Sequence, residues 1–121
     1  MAGVVFVADD DPEIRALLAI ALADIGGFEV IFSATGAEAL TMTDDIRRAD
    51  IALLDLHLPD MPGSELLTRM RAIAPPGLKF LFLTGATREA RQDLEKLQPD
   101  GIIPKPFNPL TLASDLKPYF P

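Results

Sequence analysis

Short, continuous apolar runs rich in β-branched residues alternate five times along this chain with segments whose apolar residues recur at helical spacing. No other feature restricts the fold as severely. Strands that read as apolar throughout, rather than alternating apolar and polar, are buried on both faces, and that is the mark of a parallel sheet covered by helices on each side. Parallel neighbours need a crossover between them, and crossovers are right-handed. The expected architecture is therefore α/β: a doubly wound, five-stranded parallel sheet with five helices.

The first unit runs from Val4 to Ala8 as a strand, then through Asp9-Asp10-Asp11-Pro12, a cap with proline at the first helical position. Ile14, Leu17, Leu18, Ala21, Leu22 and Ile25 then fall on one helical face, and Gly26-Gly27 closes the helix. Phe28 to Phe32 is the second strand, and Thr35 with Glu38 forms a capping box opening a helix towards Ile46. Ile51 to Leu54 is the third strand. Pro62-Gly63 opens a helix with apolar positions Leu66, Leu67, Met70 and Ile73, stopped by Pro75-Pro76-Gly77. Leu78 to Leu83 is the fourth strand, and Thr87 to Leu97 carries Ala90, Leu94 and Leu97 at helical spacing. Gly101 to Ile103 is the fifth strand, and Asn108-Pro109 starts a last helix through Leu116. Pro104 directly after the fifth strand fits an edge position, because proline cannot donate to a central ladder.

The 121 residues are the size of one domain, 1–121, and a 49% hydrophobic content suffices for a core. No cysteine is present, which excludes disulfides and thiolate metal sites and fits a cytoplasmic protein. No apolar run approaches the ~20 residues needed to span a bilayer, so no membrane association is expected. A net charge of −7 gives direct nucleic-acid binding no electrostatic footing.

Function in a doubly wound sheet gathers outside the carboxyl ends of the strands. Strand one ends at Asp9 and Asp10, strand three at Asp55, strand four at Thr84 and strand five at Lys105. If the strand order is 2-1-3-4-5, that of a flavodoxin-like sheet, these ends are neighbours and converge on one crevice. Three clustered carboxylates need protons or a cation to neutralise them. An oxygen-only donor set points to Mg²⁺, which accepts one or two carboxylates and leaves positions for phosphate oxygens. In phosphoryl transfer, Asp55 fits the in-line nucleophile that forms an aspartyl-phosphate. Asp9 and Asp10 then hold the metal, Lys105 counters a phosphoryl oxygen, and Thr84 donates to another.

Val7-Ala8-Asp9-Asp10-Asp11-Pro12, the stretch Leu53 to Gly63 around Asp55, Leu83-Thr84 and Lys105-Pro106-Phe107 together resemble the receiver domain of two-component response regulators, of the chemotaxis-regulator type. The resemblance implies that Asp55 is the phospho-acceptor, that Asp9, Asp10 and Asp55 bind Mg²⁺ with the His57 backbone carbonyl, and that Lys105-Pro106 is cis. It further implies a histidine kinase or histidine phosphotransfer protein as donor, a downstream effector domain or protein as output, and room for a phosphorylation-dependent homodimer. The domain would then be no enzyme beyond catalysing its own phosphorylation and dephosphorylation. Two positions depart from the pattern. Ile102 stands where many members carry an aromatic residue, three before the lysine, and Gly85 follows Thr84 where a small side chain is usual. The His57 side chain is expected to be solvent-exposed.

Three other readings share parts of this pattern. A haloacid-dehalogenase-like phosphohydrolase needs a second Asp two positions after the nucleophile, where His57 stands. A flavin-binding module of the same strand order would have its FMN phosphate repelled by the carboxylates. A pseudo-receiver that keeps the fold as an interaction module is consistent with Ile102 and Gly85.

Overall fold

The computed structural model describes residues 3–85 and 88–121. Five parallel strands, β1 (Val4–Ala8), β2 (Glu29–Ser33), β3 (Ile51–Asp55), β4 (Lys79–Thr84) and β5 (Gly101–Pro104), form one sheet in the order β2-β1-β3-β4-β5. This is the predicted order. β5 is an edge strand, which accommodates Pro104 opposite Thr84.

Successive strand residues point to opposite faces, and each face has its own core. Phe6, Ala8, Ala52, Leu54, Phe80 and Phe82 lie under Ala39, Ile46, Leu66, Leu67, Met70 and Leu94 on one side. Val5, Val7, Ile51, Leu53, Leu81, Leu83 and Ile103 lie under Leu18, Ala21, Leu22, Leu112, Ala113 and Leu116 on the other. The helices on the first side are α2 (Gly36–Thr41), α3 (Thr43–Arg48), α4 (Gly63–Ile73) and α5 (Arg88–Glu95). The second side is covered by α1 (Pro12–Leu18), its continuation Ala19–Ile25, and α6 (Leu112–Leu116).

Six α-helices are thus described where five were expected. The segment from Thr35 towards Ile46 is split at Met42, whose φ of −91° and ψ of 50° leave the helical region. The Thr41 hydroxyl donates to the Glu38 carbonyl at 2.7 Å, and the Met42 N–H turns back to Ala39 at 3.1 Å, tightening and ending α2.

A second difference lies in the first helix. Beyond Leu18 it widens to a π-helix over Ala19–Ile25, closed by Gly27 at φ 73°, whose N–H reaches the Ala23 carbonyl at 3.0 Å. The wider turn carries Ile25, expected on the inner face, out to 48% exposure. Ile73, in the last turn of α4, is exposed as well. The last helix starts later than predicted, since residues 109–111 form a turn. There the Asn108 side chain accepts from the Leu110 N–H at 2.9 Å. In α5, Leu94 is buried; Thr87 and the side chain of Ala90 lie outside the described residues.

Aspartates at the other end of the sheet fix its register. Asp50 accepts from the Val4 N–H at 2.9 Å while its own N–H donates to the Val4 carbonyl, and Asp100 repeats this reciprocal pairing with Phe80. Both aspartates satisfy amides at the start of a strand, that of Val4, the first residue of β1, and that of Phe80, the second of β4.

Candidate functional site

The register aligns the carboxyl ends of four strands. Ala8 pairs with Leu54, Asp55 with Leu83, and Thr84 with Pro104, so the residues that follow these strands come out side by side. Asp9 extends β1 by one bond, its N–H donating to the Ser33 carbonyl at 3.1 Å, and Lys105 extends β5 likewise, donating to Thr84 at 2.9 Å. One carboxylate oxygen each from Asp9, Asp10 and Asp55 then lies within 4.8 Å of the others. All five predicted site side chains are at this end of the sheet.

Their surroundings differ. Asp9 is fully buried, Asp55 and Thr84 are buried, and Asp10 is exposed at the mouth. Asp9 Oδ1 accepts from the Asp11 N–H at 2.9 Å, an Asx turn that leads into α1, where Asp11 in turn caps the Glu13 N–H. Asp9 Oδ2 is 3.2 Å from Lys105 Nζ. Burial pushes the Asp9 carboxyl above the usual aspartate range; the Asp55 charge adds to the rise, while the Asp11 amide and Lys105 oppose it without cancelling it.

Asp55 Oδ1 faces two donors, Lys105 Nζ at 3.4 Å and the His57 N–H at 3.3 Å. No donor among the described residues reaches Oδ2. One oxygen of Asp55 is therefore oriented by Lys105 and the His57 amide. The Lys105-Pro106 bond is cis, as expected. The His57 side chain is exposed, as expected, and its backbone bridges to Pro62 in the loop that follows.

Two residues of the surroundings escaped the sequence reading. Arg15 Nη1 donates to the Asp9 carbonyl at 2.9 Å, tying α1 to the end of β1. Asp60 accepts from the Gly36 and Ala37 N–H groups at 2.9 and 2.8 Å, and these two bonds hold its carboxyl below the usual range. A basic residue in the first helical turn was the one available signal for Arg15; for Asp60 there was none.

The response regulator receiver domain family matches residues 5–117. The chain belongs to that family. It is 32% identical to the transcriptional regulatory protein CpxR of Klebsiella pneumoniae over 113 residues, 93% of this chain and 47% of CpxR. Among solved structures it resembles the chemotaxis protein CheY4 of Vibrio cholerae, with 32% identity, a TM-score of 0.83, and 99% and 100% of the two chains covered. It also resembles the response regulator TrrA of Thermotoga maritima in complex with Mg²⁺ and BeF, with 30% identity, a TM-score of 0.82, and 98% and 99% covered.

This receiver is a phosphoacceptor module of two-component signal transduction, a signalling unit rather than a classical enzyme. It spans about half the length of the curated regulators it matches. Among the described residues, no helix of the receiver is long and apolar enough to cross a membrane.

Proposed function

We propose that this receiver takes its phosphoryl group on Asp55, with Asp9, Asp10, Asp55 and the His57 backbone carbonyl holding a magnesium ion, and Thr84 and Lys105 contacting phosphoryl oxygens. The observation that carries this reading is the placing of Asp55. One of its oxygens is held by Lys105 and the His57 amide, and a carboxylate oxygen lies within 4.8 Å of those of Asp9 and Asp10.

The donor set fits a hard divalent cation. It consists of oxygens only, and Lys105, the one ammonium among the described residues that reaches Asp9 and Asp55, offsets part of a cluster of three carboxylates. Bound there, magnesium would supply positive charge to the phosphoryl oxygens. The remaining work belongs to the protein. Asp55 attacks phosphorus through a carboxylate oxygen, the bond to the donor's nitrogen or oxygen breaks, and the donor leaves with that electron pair. Lys105, one quarter exposed, can follow the charge from Asp55 towards the phosphoryl group. Water attack on phosphorus later restores the carboxylate, so that catalysis is confined to the domain's own phosphorylation and dephosphorylation.

The partners proposed on this basis are a histidine kinase or histidine phosphotransfer protein as donor and an effector domain or protein as output, with the chain, 1–121, acting as one receiver domain. The test is incubation with acetyl phosphate and Mg²⁺ followed by intact mass. A gain of one phosphoryl group in wild type, absent in Asp55→Asn and after chelation, is the expected result. Phosphorylation retained by Asp55→Asn would overturn the assignment.

A further inference from the structure

We propose that Asp60 is a positioning residue for the phosphoacceptor loop, acting by latching the tip of that loop to the first turn of α2; this rests on the reading of Asp55 above. The loop leaving β3 is a tight hairpin. His57 and Pro62 bridge in antiparallel fashion, the Gly63 N–H donates to the Leu56 carbonyl at 2.7 Å, and the His57 N–H donates to Asp55 Oδ1 at 3.3 Å. The base of the hairpin presses on the acceptor itself, since a Cβ at Gly63 would stand 2.2 Å from the Asp55 carbonyl oxygen.

Asp60 is at the far end of this hairpin, and its carboxylate bonds to Gly36 and Ala37 rather than to Asp55. Its two carboxylate oxygens accept separately, Oδ1 from Gly36 and Oδ2 from Ala37. Amides of a first helical turn have no partner within the helix, and the usual local cap is already present, because Thr35 Oγ1 accepts from the Glu38 N–H at 3.0 Å. Asp60 therefore comes from 23 and 24 residues away to take the two amides that the local cap leaves open. Such bonds to a carboxylate are stronger than neutral ones. Met61 lies over the same turn, its Sδ 2.5 Å from where a Gly36 Cβ would be, so the missing side chain at Gly36 lets loop and helix close together.

The consequence runs back along the hairpin. With its tip fastened to α2, the loop holds the His57 amide on Asp55 Oδ1, and the carboxylate keeps one orientation. Without the latch the hairpin can rock about Leu56 and Gly63, and that orientation is shared with others.

Wild type, Asp60→Ala, Asp60→Asn and Asp55→Asn are compared well below their unfolding midpoints. The measurements are amide exchange at Gly36, Ala37 and His57, the apparent affinity for beryllofluoride with Mg²⁺, and the rate of phosphorylation by acetyl phosphate. In Asp60→Ala, protection falls at Gly36, Ala37 and also His57, while beryllofluoride affinity and phosphorylation rate fall by roughly three- to ten-fold. Asp60→Asn, which keeps one acceptor oxygen and is the variant to rely on if the alanine variant folds poorly, gives an intermediate loss. Loss of protection confined to Gly36 and Ala37, with His57 protection and phosphorylation rate as in wild type, makes Asp60 a helix cap only and overturns the inference. A wild type that does not respond to beryllofluoride overturns the reading of Asp55 and the inference with it. A wild type that responds, matched by Asp60→Ala, overturns the inference alone.

Discussion

Lys105 and Asp9 form an ion pair at 3.2 Å in which the aspartate side chain is wholly buried and the lysine side chain is 25% exposed. The same Nζ lies 3.4 Å from Asp55 Oδ1, so one cation serves two carboxylates of the cluster.

Replacing Lys105 by Met therefore acts in two directions. The cluster becomes more negative, and Mg²⁺ affinity rises by roughly three- to ten-fold. Phosphorylation by acetyl phosphate falls by at least about ten-fold, because the group that follows the transferred charge is gone. Without Mg²⁺ the variant also loses stability, by about 1–3 kcal/mol once the partial exposure of Lys105 is taken into account. Calorimetric titration with Mg²⁺, intact mass and urea unfolding measure the three effects; a weaker Mg²⁺ affinity in Lys105→Met would contradict the charge argument.

Asp9 gives the metal-free domain a pH dependence. Its carboxyl titrates above the value it has in the unfolded chain, about 4. The folded state thus holds its proton more tightly, and the contribution to stability, full below that value, is lost as pH rises through the raised one. Asp60 acts oppositely: its depressed value makes a contribution that is present above the ordinary aspartate value and lost as pH falls below it. Metal-free stability should accordingly decline as pH rises above about 4, a decline absent in Asp9→Asn and removed by saturating Mg²⁺, which favours the charged carboxylate. Urea midpoints against pH, with and without Mg²⁺, decide this; an unchanged pH slope in Asp9→Asn refutes it.

Gly63 and Gly77 make a matched pair. A methyl at Gly63 meets the Asp55 carbonyl oxygen at 2.2 Å, a backbone atom that can move only by shifting the end of β3, whereas a methyl at Gly77 meets nothing within 4 Å. Gly63→Ala is expected to cost about 2–4 kcal/mol and to weaken beryllofluoride binding by displacing Asp55. Gly77→Ala should be neutral or stabilise by up to about 1 kcal/mol, through a less flexible unfolded chain. Comparable losses in both variants would show that the close approach is relieved in solution.

The site was legible because its chemistry is written at strand ends. Asp9, Asp10, Asp55, Thr84 and Lys105 each follow or close an apolar run, and a parallel sheet in the observed order can only bring those ends together. Pro104 marked the edge strand for a reason equally local, its missing N–H. What stayed hidden depends on contacts between distant segments or on hydrogen-bond choices with no periodic trace. Asp60 reads as one more polar loop residue until α2 is placed beside it, and Arg15 as a solvated helix residue until the Asp9 carbonyl is seen. At Met42, a hydroxyl competing for a carbonyl ended a helix whose capping box promised more.

Ile25 shows how far a helical period can mislead, and the difference can be measured. The sequence pattern sets it on the same face as Leu22, yet the π-helical stretch advances each residue less far around the axis, so that Leu22 is wholly buried while Ile25 is 48% exposed. Leu22→Ala opens a cavity against Val5, Leu53 or their neighbours in that core and should cost about 2–5 kcal/mol. Ile25→Ala removes atoms that already meet solvent, with no such cavity to leave behind, and should cost less than about 1 kcal/mol. Urea unfolding of the two variants at one pH gives the comparison directly. Equal losses would mean that the first helix keeps its ordinary 3.6-residue turn to the end and that Ile25 belongs to the core after all.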